Sequence, residues 1–437
     1  MSAIAATTDH LRDADLPTLA ATLNDQRVRS VDVVAPAHSI TARGGAIVVQ
    51  GVAPLTEISE DGVTATDVDG IYVPTRVADE GVSAKLNIPL AYLQRSRDVD
   101  LLDGPHGSSL YDVNVNAWLG RQKPGTKFLL RLLKNRDGDP SADGFDGVVR
   151  ALLSNSFRCI DNFDVLLASL RGIADAGVTD PIITADLTDR RMVVRVAVPQ
   201  IAVLAPKLLE GYRSPFGGHD AGVLLRDGRD GALAGWTPER VARASAGEGQ
   251  QIEGGGQTVF AGFVISNSDT GGSAFNITPR LVVRVCNNGL TITAEAIKRV
   301  HLGAKLDEGT IQWSEVTARK NLDLVASQTG DAVRQFVNVD YVAEKVAQLE
   351  ADAATPIDDA PAVIASVSKR LGFSEAEQAN ILGHFIKGGQ LTAGGVMQAV
   401  TSAAQLHADG DAAWDMECRG VDAMHAAVAA MRTPAKA

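Results

Sequence analysis

Residues 259–316 read VFAGFVISNSDTGGSAFNITPRLVVRVCNNGLTITAEAIKRVHLGAKLDEGTIQWSEV. Two apolar, β-branched runs flank the polar turn Ser266-Asn267-Ser268-Asp269-Thr270-Gly271-Gly272. A second polar knot, Cys286-Asn287-Asn288-Gly289, closes the second run. The pattern predicts an antiparallel hairpin in which 259–266 pairs with 275–285. Strands of about eight residues then hold the two knots about 25 Å apart, at opposite ends. Both contribute to one site only if another element folds back, so the SNSDTGG turn alone is favoured as the functional loop.

Around this hairpin the chain alternates short strand bursts with helical periods. Strand and turn language fills 46–76, in IVVQGV and GIYV; a helical period follows over 86–102 and again over 110–121. KFLLRLLKN (127–135) and GVVRALLS (147–154) read as buried strands, and FDVLLASLRGIADAG (163–177) as an amphipathic helix. A hairpin is expected over 181–200 with its bend at Thr188-Asp189-Arg190. One long helix is expected from Trp313 to about Glu350, then a Pro-rich break at 354–362 and further helices, Ser374–Glu377 forming a capping box. Strands joined by short turns disfavour a doubly wound sheet. The expected fold is α+β, a mainly antiparallel sheet flanked by helices and followed by an all-helical C-terminal domain. Its divisions are a helical and extended segment at 1–45, a body at 46–350 with a long Gly/Asp-rich loop at 211–258, and a helical domain at 363–437.

Charge is uneven in this chain of net charge −12. Residues 1–110 carry 8 basic and 15 acidic side chains and 340–437 carry 7 and 13, whereas 111–160 hold 8 basic against 5 acidic. Polyanion binding by the whole surface is disfavoured, but a local basic groove remains open. Three scattered cysteines, Cys159, Cys286 and Cys418, argue for a reducing compartment. No secretion signal and no long apolar run is present, so a cytoplasmic protein of a bacterial host cell is expected, without membrane contact.

Enzyme signatures are missing. Gly254-Gly255-Gly256 has no Lys-Ser/Thr after it, no dinucleotide fingerprint or nucleophile elbow occurs, and the eight histidines never take a metal-ligand spacing. No cofactor, metal or catalytic residue is expected. Two polar and basic surfaces remain. In the first, Ser266, Asn267, Ser268, Asn287 and Asn288 suit turn geometry or contacts to phosphate, sugar and base edges, with Arg280 and Arg284 adding charge on one strand face. In the second, Arg121, Lys123, Lys127, Arg131 and Lys134 form a basic stripe next to Trp118, compatible with tracking a single strand of nucleic acid. The basic residues of KFLLRLLK recur at helical spacing on a segment that otherwise reads as a strand.

ALLSNSFRCIDNFDVL (151–166), residues 260–289 of the hairpin, VHLGAKLDEGTIQWS (300–314) and GGQLTAGGVMQAVTSAAQLHADGDAAW (388–414) carry a resemblance. In these stretches the chain resembles the phage/plasmid-like proteins grouped as domain of unknown function 932, over most of 45–430. The 211–258 loop departs from that pattern, being longer and less regular. The resemblance implies a gene of phages, plasmids and other mobile elements in bacteria. It implies no mechanism, cofactor or site.

The leading expectation is therefore a non-enzymatic nucleic-acid-handling protein of a phage or plasmid, binding or annealing single-stranded DNA in replication or recombination. One alternative is an enzyme with an unrecognised site near 266–301, with Asp269 and His301 exchanging a proton. The other is a structural protein that binds a protein partner through its acidic helical tail.

Overall fold

The computed structural model describes residues 9–52, 55–59, 62–99, 109–136, 144–155, 157, 160–213, 215, 258–283, 289–291, 297–299 and 315–432. The expected hairpin is there: its two strands run Thr258–Asn267 and Phe275–Val283, with Ser266 opposite Asn276 and Val259 opposite Val283. The architecture is mixed α+β, mainly antiparallel, with an all-helical C-terminal region.

In chain order the N-terminal half contains β1 (Leu11–Ala14), α1 (Leu16–Arg29), β2 (Ser30–Pro36), β3 (Ile40–Arg43), β4 (Ala46–Val49), β5 (Leu55–Ser59), β6 (Gly62–Thr66), β7 (Gly70–Pro74), α2 (Arg76–Leu86), α3 (Leu90–Ser96), α4 (Leu110–Leu119), β8 (Lys127–Lys134) and β9 (Gly147–Ser154). Next come α5 (Asn162–Asp175), β10 (Ile182–Leu187), β11 (Met192–Leu204), β12 and β13 (the hairpin strands), β14 (Gly289–Thr291) and β15 (Ile297–Arg299). The helical region holds α6 (Glu315–Phe336), α7 (Val339–Ala353), α8 (Ala360–Leu371), α9 (Glu375–Gly388), α10 (Ala393–Ala404), α11 (Gly410–Glu417) and α12 (Gly420–Arg432).

Two expectations shift. In the segment at 1–45, expected to be helical and then extended, a strand comes first and the helix starts only at Leu16, because the Asp15 side chain accepts from the Thr18 amide and Pro17 suits the first turn. The long helix expected from Trp313 breaks at Asn338, whose side chain accepts from the amides of Asp340 and Tyr341 and so starts α7. The capping box at Ser374 and Glu377 is present as expected.

A smaller sheet of order β2-β8-β9-β7-β4-β3 encloses its own core with α2, α3 and α4, built on Val33, Ile40, Tyr72, Leu93, Tyr111 and Leu130. Its edge strand β3 is blocked by α4. The Ala42 amide donates to Asn116 Oδ1 at 2.7 Å, and Asn116 Nδ2 donates back to the Ala42 carbonyl at 2.9 Å. A side-chain amide thus takes the place of a neighbouring strand.

The larger sheet, β1-β10-β11-β12-β13 with β14 and β15 both on β13, carries one continuous apolar face. Phe263, Ile265, Phe275 and Ile277 pack against α1, α5 and α6, and further along Val259, Ala261, Leu281 and Val283 pack into the core of the C-terminal helices. The opposite face meets α11. There Arg12, Asp186, Arg195, Glu417 and Arg280 form a chain of ion pairs: Arg195 lies 2.7 Å from Asp186 and 3.4 Å from Glu417, and Glu417 lies 3.0 Å from Arg280. Trp414 of α11 lies beside the Arg195 guanidinium. The Pro-rich stretch before α8 is tied to the loop after α9, the Ile357 amide donating to the Leu391 carbonyl and the Ala393 amide to the Thr355 carbonyl. Among the described residues no helix is long and apolar enough to cross a membrane.

Candidate nucleic-acid interface

The SNSDTGG turn exposes only its two glycines, Gly271 and Gly272. Ser266, Asn267, Ser268, Asp269 and Thr270 are all buried in the seam between the two sheets. Asn267 donates to the Ile160 carbonyl and to Asn162 Oδ1, and Thr270 donates to carbonyls of the β10–β11 turn. Asp269 receives both terminal nitrogens of Arg150 at 2.9 and 3.0 Å. Arg131 lies 3.2 Å from Asp269, 2.6 Å from Asp161 and 3.2 Å from Asp32. Burial disfavours the Asp269 carboxylate, but Arg150 and Arg131 outweigh it and hold its pKa below the ordinary value.

Burial therefore removes several expected contact residues from the candidate surface. Ser266, Asn267 and Ser268 serve the seam, Arg131 is 1% exposed inside it, and Arg280 is buried against Glu417. A charged side chain inside an apolar strand needs a nearby counter-ion, and both arginines have one. GVVRALLS and KFLLRLLK carried the signal: a single arginine amid aliphatics marks a buried pair more than a binding surface. Asp269, locked between two guanidinium groups, is no proton acceptor. Gly289 pairs with Val282, at the end of the hairpin away from the SNSDTGG turn. Arg284, Asn287, Asn288 and His301 lie outside the described residues, as does nearly all of the 211–258 loop.

The second surface loses Arg131 and keeps only part of its basic stripe in solvent. KFLLRLLK is a strand, and its ends differ: Lys127 is half-buried, while Lys134 donates its ammonium to the Asp67 carbonyl. Arg121 and Lys123 are exposed. Trp118 is 39% exposed at the end of α4, with the Arg121 guanidinium 5.8 Å from its ring centroid. At the same end of α4, lined by Asn116, Leu119 and Gly120 but not by Trp118, opens a cleft of about 340 Å³ between the 37–41 segment and the 119–126 segment. Its apolar lining includes the buried Ile40 and Leu119, and its polar lining includes His38, Thr41, Gln122 and Lys123.

Local chemistry fixes this cleft. Lys123-Pro124-Gly125-Thr126 closes as a tight turn, the Thr126 amide donating to the Lys123 carbonyl at 3.0 Å, with Gly125 at φ +85°. That φ with proline before it is a type II turn, which only glycine accommodates without strain. The Thr126 carbonyl accepts in turn from the Ala37 amide, so the arm bearing Lys123 is tied to the turn bearing His38. From 33 to 52 and from 113 to 136 the sequence contains no Asp or Glu, in a chain of net charge −12. The two stretches that line the cleft thus carry no acidic side chain of their own.

No family model, no curated protein and no solved structure matches the chain.

A second cleft, about 320 Å³, lies on the helical region, lined by Asn380, Gly383, His384, Lys387 and Leu406. His384 Nδ1 lies 2.8 Å from the Ser402 hydroxyl. Burial and then Lys387 push the His384 pKa down. The pair resembles an activated serine only on paper, because Ser402 is fully buried within α10 and no substrate atom reaches it. Among the described residues no group of His, Cys, Asp and Glu is placed to hold a metal.

Proposed function

We propose that the chain is a non-enzymatic protein that binds single-stranded DNA across Trp118, Arg121, Lys123 and Lys127, in the service of phage or plasmid replication or recombination. The observation that carries this reading is a cleft whose lining holds Lys123 and no acidic side chain, with the exposed Trp118–Arg121 pair on the same stretch of chain. An aromatic face stacks any base, and nearby cations offset backbone phosphates. A net charge of −12 disfavours a polyanion over the surface as a whole, so contact is confined to these residues. The mobile-element setting implied by the sequence resemblance is consistent with such a role.

Fluorescence anisotropy of a labelled oligothymidine, titrated with protein over a range of salt, tests it. With three phosphates engaged, log K falls with log salt at a slope of about −2, from about 0.7 per phosphate on single strands. Lys123→Ala makes the slope shallower by about 0.7. Absence of binding at low salt, where counterion release most favours it, ends this reading.

A further inference from the structure

We infer that the cleft beside Trp118 takes one unstacked nucleobase of the bound strand, with an adjoining phosphate on Lys123. This rests on the single-strand reading above and specifies how the strand is held.

The cleft has the composition of a base site. Its lining includes the buried apolar Ile40 and Leu119, at 1% and 5% exposure, which suit the face of a heteroaromatic ring. It also includes His38, Thr41 and Lys123, whose side chains, among the described residues, have no hydrogen bond or ion pair of their own. An imidazole and a hydroxyl are each able to donate or accept, so they match base edges in either sense. Lys123 supplies only donors and positive charge, which suits phosphate. At about 340 Å³ the cleft lies at the small end of ligand sites, with room for one base and its sugar.

The site is also preorganised. The type II turn fixes the Lys123 backbone, and the Ala37 to Thr126 hydrogen bond of 2.9 Å fixes the two walls relative to each other. Asn116, which also lines the cleft, has both ends of its amide engaged by Ala42, so it acts as a rigid wall and not as a reader of bases. A base must leave its stack to enter, which selects unpaired strands over duplex. Trp118 stands outside the lining, on the adjoining surface of α4, where it meets the neighbouring base.

Oligonucleotides carrying 2-aminopurine, whose fluorescence rises on unstacking, read this directly. With the wild-type chain the signal rises on binding. Thr41→Trp, which fills the cleft from an exposed strand position, abolishes that rise and weakens binding about ten-fold, the effect of one lost base contact. Deoxyadenosine monophosphate alone shifts the His38 ring resonances of the wild-type chain, a measurement that needs no variant. If the oligonucleotide binds with no 2-aminopurine rise and the mononucleotide leaves His38 unmoved, the cleft assignment is overturned while single-strand binding stands. If no oligonucleotide binds at all, both fall.

Discussion

Both terminal nitrogens of Arg150 reach Asp269, at 2.9 and 3.0 Å, across the seam between the two sheets. Each sheet has its own apolar core, so the tie between them is ionic at this point where it would ordinarily be aliphatic. Both side chains are 2% exposed. A buried pair of this kind adds little net stability over an apolar pair but makes the loss of one partner severe.

Asp269→Asn leaves Arg150 and Arg131 facing a neutral amide. Denaturant titration is expected to show a loss of about 3–5 kcal/mol. The double variant Arg150→Met/Asp269→Leu is expected to recover part of it, since no uncompensated charge at Asp269 remains. A loss below about 1 kcal/mol in Asp269→Asn would show that the seam does not depend on this carboxylate.

Acid acts through the same group. The folded pKa values of Asp269 and Asp186 lie below the ordinary 3.8, burial being outweighed by Arg150 and Arg131 in one case and by Arg195 and Arg12 in the other. Their contribution is complete above the unfolded value and is lost as pH falls through the lower folded values. The stability gap between wild type and Asp269→Asn is therefore expected to stay constant above pH 3.8 and to close below it. A gap that begins to close near neutrality contradicts this assignment.

His10 behaves in the opposite sense. Its Nε2 lies 3.2 Å from Asp189, and that hydrogen bond, against the effect of burial, raises its pKa above 6.5. The tie is complete below 6.5 and is lost as pH rises through the folded value. An NMR titration is expected to place the His10 midpoint above 6.5. His10→Gln is expected to lower stability on the acid side by no more than about 0.5 kcal/mol, because the imidazole is more than half exposed.

Gly172 of α5 touches α6 so closely that a Cβ would stand 2.3 Å from the Ala326 carbonyl oxygen. Gly172→Ala is expected to destabilise by about 1–3 kcal/mol through forced separation of the helices, despite alanine's better helix propensity. Gly383→Ala is the control. Nothing lies within 4 Å of its added methyl, so thermal unfolding is expected to show it neutral or more stable by up to about 1 kcal/mol.

The hairpin, the β10–β11 bend and the C-terminal helices were legible because local pattern and final state agree there. Val259 to Ile265 is apolar at every position and occupies a central strand covered on both faces. Less legible was the break between α6 and α7, where the apolar period runs straight through Asn338 and a single capping side chain decides. The candidate surface was legible only as charge. Sequence marks Arg121 and Arg131 alike as basic, but whether an arginine meets water or Asp269 depends on a residue more than a hundred positions away. His38 and Thr41 stood out in no motif, because the cleft arises from the apposition of two loops and not from a spacing along one.

The ion-pair chain from Arg12 to Arg280 passes through Glu417, so the larger sheet shares its charge balance with both ends of the sequence. During synthesis the strands of that sheet leave the ribosome long before α11 does. Until Glu417 emerges, Arg195 has Asp186 to meet but Arg280 lacks the carboxylate that it pairs with in the finished fold. Closure of this face therefore waits for residue 417, more than a hundred positions after the hairpin strands it completes.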